Sequence, residues 1–188
     1  MTKTYASRYD EWADKIMQHV DVPDGLIGSS YHNDVCPSVM TQPMGKGNFY
    51  VQLFIDYPDP ADREEFDSDR YTVFVMSDDG DHYHYTTDVY GHALTAVQGY
   101  RFALTIRDWL TDDEWTAMTA KARQLAADGV TNQCPSHDYC DANEALLDAF
   151  AAIYGPLPDD RRVTDEAHVE MGKAHDFAFD HIFAAEEV

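Results

Sequence analysis

His82-Tyr-His84 places two imidazoles on one side of an extended chain, and with Asp88 and His92 close behind them the group has the residue types of a metal site. The match stops there: no second ligand motif follows, and hydrogen-bonded or solvated histidines account for the same spacing. Cys134, His137 and Cys140 put two thiols and an imidazole within seven residues, with Cys36 in a similar Cys-Pro-Ser string as a candidate fourth zinc ligand. Five residues separate the two thiols, where zinc pairs take two to four, so buried thiols beside a helix capped by Ser136 or Asp141 fit equally well.

Cys36 also lies near His32 and Asp34, the residue types of an activated thiol. Partners of that kind are normally gathered from distant parts of a chain, and Asn33-Asp34 has the composition of a turn. His168, His175 and His181 stand seven and six residues apart, without the i, i+4 pair of a zinc protease. The chain has no Gly-rich phosphate loop, no Gly-x-Ser-x-Gly elbow and no His-Glu-x-x-His. The pattern points away from an enzyme and gives no reason to expect a cofactor. A small metal-dependent enzyme or zinc-stabilised domain built on His82, His84, Asp88 and His92 stands as the alternative.

The densest chemistry is acidic. Asp56, Asp59, Asp62, Glu64, Glu65, Asp67 and Asp69 are followed across one strand by Asp78, Asp79 and Asp81, ten acids against Arg63 and Arg70 alone. Pro58 and Pro60 make the first group a loop, and the second is a hairpin turn. If the two groups share one surface, their carboxylates approach the charge density of duplex DNA, one per about 1.7 Å of helix axis. If the strands run consecutively, the groups lie at opposite ends of the sheet.

The elements that must position these residues follow from the hydrophobic pattern. Tyr5, Tyr9, Trp12 and Ile16 form a helical stripe, stopped at Pro23-Asp24-Gly25. Short β-branched and aromatic runs over 26–31, 49–56 and 71–76 predict strands, and Ser77-Asp78-Asp79-Gly80-Asp81 joins the last of them to 82–87 as a hairpin. Residues 100–107 alternate apolar and polar with period two and read as a further strand, with a helix as the competing reading. Thr111 and Glu114 form a capping box ahead of a face made by Trp115, Met118, Ala122 and Leu125, and Gly129 ends that helix. Asp141 starts a helix with Leu146, Leu147 and Phe150 inside, broken by Gly155-Pro156-Leu157-Pro158, and Thr164 starts a last helix to about Ala184. The expectation is a single acidic α+β domain over 1–188. It has an antiparallel sheet of about four to six strands, an N-terminal helix and about three C-terminal helices packed on the sheet.

Composition bounds the function. A chain of 188 residues with 44% hydrophobic residues can build a real core, so the acidity belongs to a fold and not to a disordered tail. Three cysteines in no disulfide framework, and a start without a basic region followed by an apolar run, predict a cytoplasmic protein with reduced thiols and no membrane span. Thirteen Lys and Arg against thirty-five Asp and Glu give a net charge of −22, which repels nucleic acids and anionic membranes. Evenly spread, such charges stand about 20 Å apart, beyond a Debye length of about 8 Å, and serve solubility, as in a halophilic protein. Clustered, they predict an inhibitor that occludes the basic nucleic-acid-binding groove of a host defence protein such as a CRISPR effector or restriction enzyme. By composition this is like the phage and plasmid proteins that disarm such systems. The partner-binding residues are then the ten acids from Asp56 to Asp81.

Overall fold

Strict alternation builds the centre of the sheet. In Tyr71-Thr-Val-Phe-Val-Met-Ser, the residues Tyr71, Val73, Val75 and Ser77 are buried, while Thr72, Phe74 and Met76 on the other face are half-buried. In the computed structural model this run is the fourth strand of a five-stranded antiparallel sheet. The structure describes residues 16–17, 20–30, 36–45, 47–63, 68–127, 173–174, 177–178 and 181–182. Strands β1 (Ile27–Gly28), β2 (Ser38–Met40), β3 (Tyr50–Ile55), β4 (Tyr71–Ser77) and β5 (Gly80–Thr87) lie in the sheet in sequence order, each antiparallel to the next.

The buried face aligns Val51 with Val75, Leu53 with Val73 and Ile55 with Tyr71, all at most 3% exposed. Each aliphatic side chain so buried contributes roughly 1.5–3 kcal/mol, which makes these pairs the main cohesive element of the sheet. On the opposite face Gln52 is buried with its amide nitrogen engaged. Its Nε2 donates to Ser38 Oγ at 2.9 Å and to Ser29 Oγ at 3.2 Å, tying β3 to the strands before it. The three-residue β2 was not anticipated, because so short a run shows no periodicity. The expected strand over 26–31 contracts to Ile27–Gly28 within the described residues.

The expected hairpin is present. Gly80, at φ +119°, closes it after Asp78-Asp79 in a conformation that L side chains rarely adopt. The register shifts between Val75 and Met76, so Tyr83 opposes Val75 and Asp81 opposes Met76, with His82 as the extra residue of a bulge.

Two helices are described: α1 (Tyr90–Trp109) and α2 (Asp112–Ala127). The strand reading of 100–107 is therefore corrected, and those residues form the second half of α1. Seen from Tyr90 onward the buried positions include Ala93, Ala96, Val97, Tyr100, Ala103 and Ile106, with Gly99 and Phe102 beside them, a helical period that the eight-residue window concealed and that alanines carry in part. The predicted capping box opens α2, with the Thr111 amide donating to Glu114 Oε2 at 2.8 Å and the Glu114 amide to Thr111 Oγ1 at 3.3 Å.

The chain divides into two compact units, Met1–Val97 and Gln98–Val188, with the boundary inside α1 and not at a linker. In the second unit Gly99 lies against Phe177. A Cβ there would stand 2.5 Å from the Phe177 ring and 3.0 Å from the Ala174 carbonyl oxygen, and the absent side chain also lets Tyr100 meet Phe177 edge-on at 5.2 Å. Of the expected N-terminal helix, Ile16 and Met17 are described, helical and buried. Of the last helix, residues 173–174 and 177–178 are described and helical. The helix expected after Asp141 lies outside the described residues. No helix among those described is long and apolar enough to cross a membrane.

Candidate partner-binding surface

The sheet order answers the topological question raised by the acids. Since β3, β4 and β5 are consecutive antiparallel neighbours, the connection over 56–70 and the turn at Asp78-Asp79 lie at opposite ends of β4. Seven residues at about 3.3 Å each put the ends roughly 20 Å apart, more than twice the Debye length of about 8 Å. Among the described residues the acids form two groups instead of one continuous surface.

The loop end is stitched from within. Asp59 Oδ1 accepts from the Ala61 amide at 3.0 Å and caps the short 3-10 helix Pro60–Asp62. Behind it Arg63, 8% exposed, donates from Nε to the Tyr57 carbonyl at 3.0 Å, from Nη1 to the Ser68 carbonyl at 2.5 Å and from Nη2 to the Pro58 carbonyl at 3.4 Å. The same Nη1 pairs with Asp88 Oδ1 at 2.9 Å. Asp88 also accepts from the Arg70 amide at 3.0 Å, and that hydrogen bond, with Arg63 beside it, holds its carboxyl below the ordinary Asp range.

Arg70 reaches back to the carbonyls of Asp56 at 3.3 Å and Ile16 at 3.4 Å, with its guanidinium over the Tyr71 ring. Asp69 accepts from Thr86 Oγ1 at 2.7 Å, and Asp56 Oδ1 from the Tyr57 amide at 2.7 Å. Between these groups a shallow pocket of about 140 Å³ is lined by Cys36, Phe54, Asp56, Asp69, Arg70 and Thr72. Glu64, Glu65 and Asp67 lie outside the described residues.

The hairpin end is barer. Asp78, Asp79 and Asp81 are exposed, and Ser77 Oγ beside them accepts from the Asp79 amide at 3.1 Å and bonds His82 Nε2 at 2.7 Å. What this arrangement offers chemically is carboxylate charge in two places, fixed at one end and open at the other.

Comparison with protein-family models, with curated proteins and with solved structures finds no match to this chain.

The histidine group does not assemble. His82 is hydrogen-bonded through Nε2 to Ser77 Oγ at 2.7 Å and meets Phe49 edge-on, on the side of Ser77, whereas His84 lies over Phe74, which belongs to the opposite face of β4. The expectation that both imidazoles share a face is thus corrected, the bulge at His82 having broken the two-residue alternation. Asp88 is taken by Arg63 and Arg70, and His92 sits exposed in the first turn of α1. Among the described residues no three His, Cys, Asp or Glu side chains converge as a metal-binding set. Cys36 is buried; His32, Asp34, Cys134, His137 and Cys140 lie outside the described residues.

Arg63 and Asp88 as organisers of the loop were missed in the sequence. A lone arginine inside a proline-bounded run of acids was the available signal, since a buried guanidinium can satisfy several loop carbonyls at once.

Proposed function

We propose that this protein is a binding protein and not an enzyme, an inhibitor whose carboxylates take the place of nucleic acid in the basic groove of a host defence protein such as a CRISPR effector or restriction enzyme. The observation that supports the reading is a net charge of −22 on a folded chain with Asp59, Asp62, Asp78, Asp79 and Asp81 exposed at the two ends of one sheet. Carboxylates carried on a folded sheet compete for Lys and Arg without paying the backbone ordering entropy of a flexible acidic tail, and their field accelerates encounter with a basic partner. Two separated groups engage two patches of such a groove, each contact being salt-sensitive.

The test is direct binding to purified CRISPR effectors and restriction enzymes across a salt series, with duplex DNA as competitor. The reading expects a complex that forms at low salt, weakens steeply as salt rises and excludes DNA. Substituting Asp78→Lys, Asp79→Lys and Asp81→Lys together weakens it at least tenfold. Failure to bind any basic protein, coupled with unfolding at low salt and recovery at high salt, would instead assign the acidity to solubility in a saline cell.

A further inference from the structure

Between the two acidic ends lies a strip whose composition solubility does not require. On the outer face of the last three strands, Gln52, Phe74 and His84 stand in one row and Phe54, Thr72 and Thr86 in the next. Phe54 meets Phe74 edge-on at 5.8 Å between centroids, and Phe74 meets His84 at 6.0 Å with the planes tilted by 31°. Exposure rises across the rows, from buried Gln52 through half-buried Phe54 and Phe74 to exposed His84. Asp56 and Asp69, in the wall of the shallow pocket with Phe54, bound the strip at one end, and Asp81, opposite Met76, bounds it at the other.

We propose that this outer face of β3, β4 and β5 is where an extended, arginine-bearing segment of the basic partner docks, its guanidinium groups stacking on Phe54, Phe74 and His84 while the flanking aspartates take its charge. The inference rests on the function proposed above and names the chemistry recognised. Charge complementarity selects a cation, and the rings select which one. A guanidinium is planar, weakly hydrated and able to stack on a ring while forking to a carboxylate, whereas an ammonium is compact and strongly hydrated and gains less from a ring. The roughly 20 Å between the acidic ends matches about six residues of extended chain. Arg70, the cation in the pocket wall, is turned to the carbonyls of Asp56 and Ile16, and Asp56 and Asp69, which accept from the Tyr57 amide and from Thr86 Oγ1, keep further carboxylate lone pairs for an incoming guanidinium.

The experiment measures fluorescence anisotropy of a labelled octapeptide alternating Arg and Ser, against its Lys counterpart, with the full chain at low salt. The Arg peptide is expected to bind roughly fivefold tighter, the increment of an exposed cation–π contact. Phe74→Leu, which keeps an apolar side chain but removes the ring, lowers the Arg peptide to the level of the Lys peptide, and Phe74→Tyr, which restores a ring, retains the preference. Circular dichroism confirms that each variant is folded. Equal affinity for the two peptides, or a preference that survives Phe74→Leu, overturns this inference while leaving the acidic-inhibitor reading intact. Affinity for neither peptide overturns both.

Discussion

The two ends of β4 carry the same kind of residue and use it in opposite ways. At the loop end Asp56, Asp59, Asp69 and Asp88 each accept a hydrogen bond from a named neighbour, and Arg63 and Arg70 thread between them to carbonyls of the loop and beyond it. At the hairpin end Asp78, Asp79 and Asp81 face solvent around a turn whose conformation depends on Gly80. The difference teaches that the number of acids in a segment does not measure the charge available to a partner. Some acids are structural acceptors, and the cations that look like a minority correction are what organise them.

The largest effect expected from this contrast is at Arg63. Arg63→Met removes three bonds to loop carbonyls and the counter-charge of Asp88, and is expected to cost about 3 kcal/mol in urea unfolding. It should also expose the 56–70 loop to protease. A cost under about 1 kcal/mol would mean that water replaces the guanidinium and that the two ends do not differ in kind. The same contact sets an acid limb. The Asp88 carboxyl titrates below its unfolded value, so its contribution is present above about pH 4 and is lost as pH falls through the depressed folded value. Arg63→Met should shrink that limb.

Next in size is the hairpin. Gly80→Val forces a β-branched residue to φ +119° with no compensating contact, for a cost of about 2 kcal/mol. Because backbone strain is the cause, the cost should not vary with salt, unlike any effect of the neighbouring aspartates.

How much of this was legible follows from how local each signal is. The hairpin, the capping box of Thr111 and Glu114 and the cores of β3 and β4 are written within a few residues, and each stands where its pattern placed it. The period of α1 needed a window reaching back to Tyr90 and a willingness to count alanines as core. The split of the acids into two ends depends on strand order, which short-range patterns do not encode. The separation of His82 from His84 depends on a one-residue register shift that no alternation rule detects. The Arg63 to Asp88 contact joins residues twenty-five apart across a whole hairpin, and its only local trace is a cation where cations are scarce.

A smaller effect belongs to the loop side again. Tyr90 packs on Tyr71 at the loop end of β4 and donates its hydroxyl to the Asp21 carbonyl. Burial, with Tyr71 and Asp21 nearby, pushes its hydroxyl up to about 12. A raised folded value means that stability is full below the unfolded value near pH 10 and is lost as pH rises toward about 12. Tyr90→Phe should cost about 1 kcal/mol at neutral pH through the lost hydrogen bond. It should also flatten the alkaline decline in a pH series of urea midpoints.

The smallest effect is the most discriminating. Asp78→Asn with Asp79→Asn leaves the Asp79 amide free to keep its bond to Ser77 Oγ and changes only charge, so unfolding free energy should move by less than about 0.5 kcal/mol. With a net charge of −22, removing two like charges relieves self-repulsion, so the small change should be stabilising at low salt and should vanish when salt screens it. Melting temperatures of the double variant at low and high salt decide the matter. A destabilisation above about 1 kcal/mol at both salts would show carboxylates at the turn acting as structural acceptors, as they do at the loop end, and the contrast between the ends would fail.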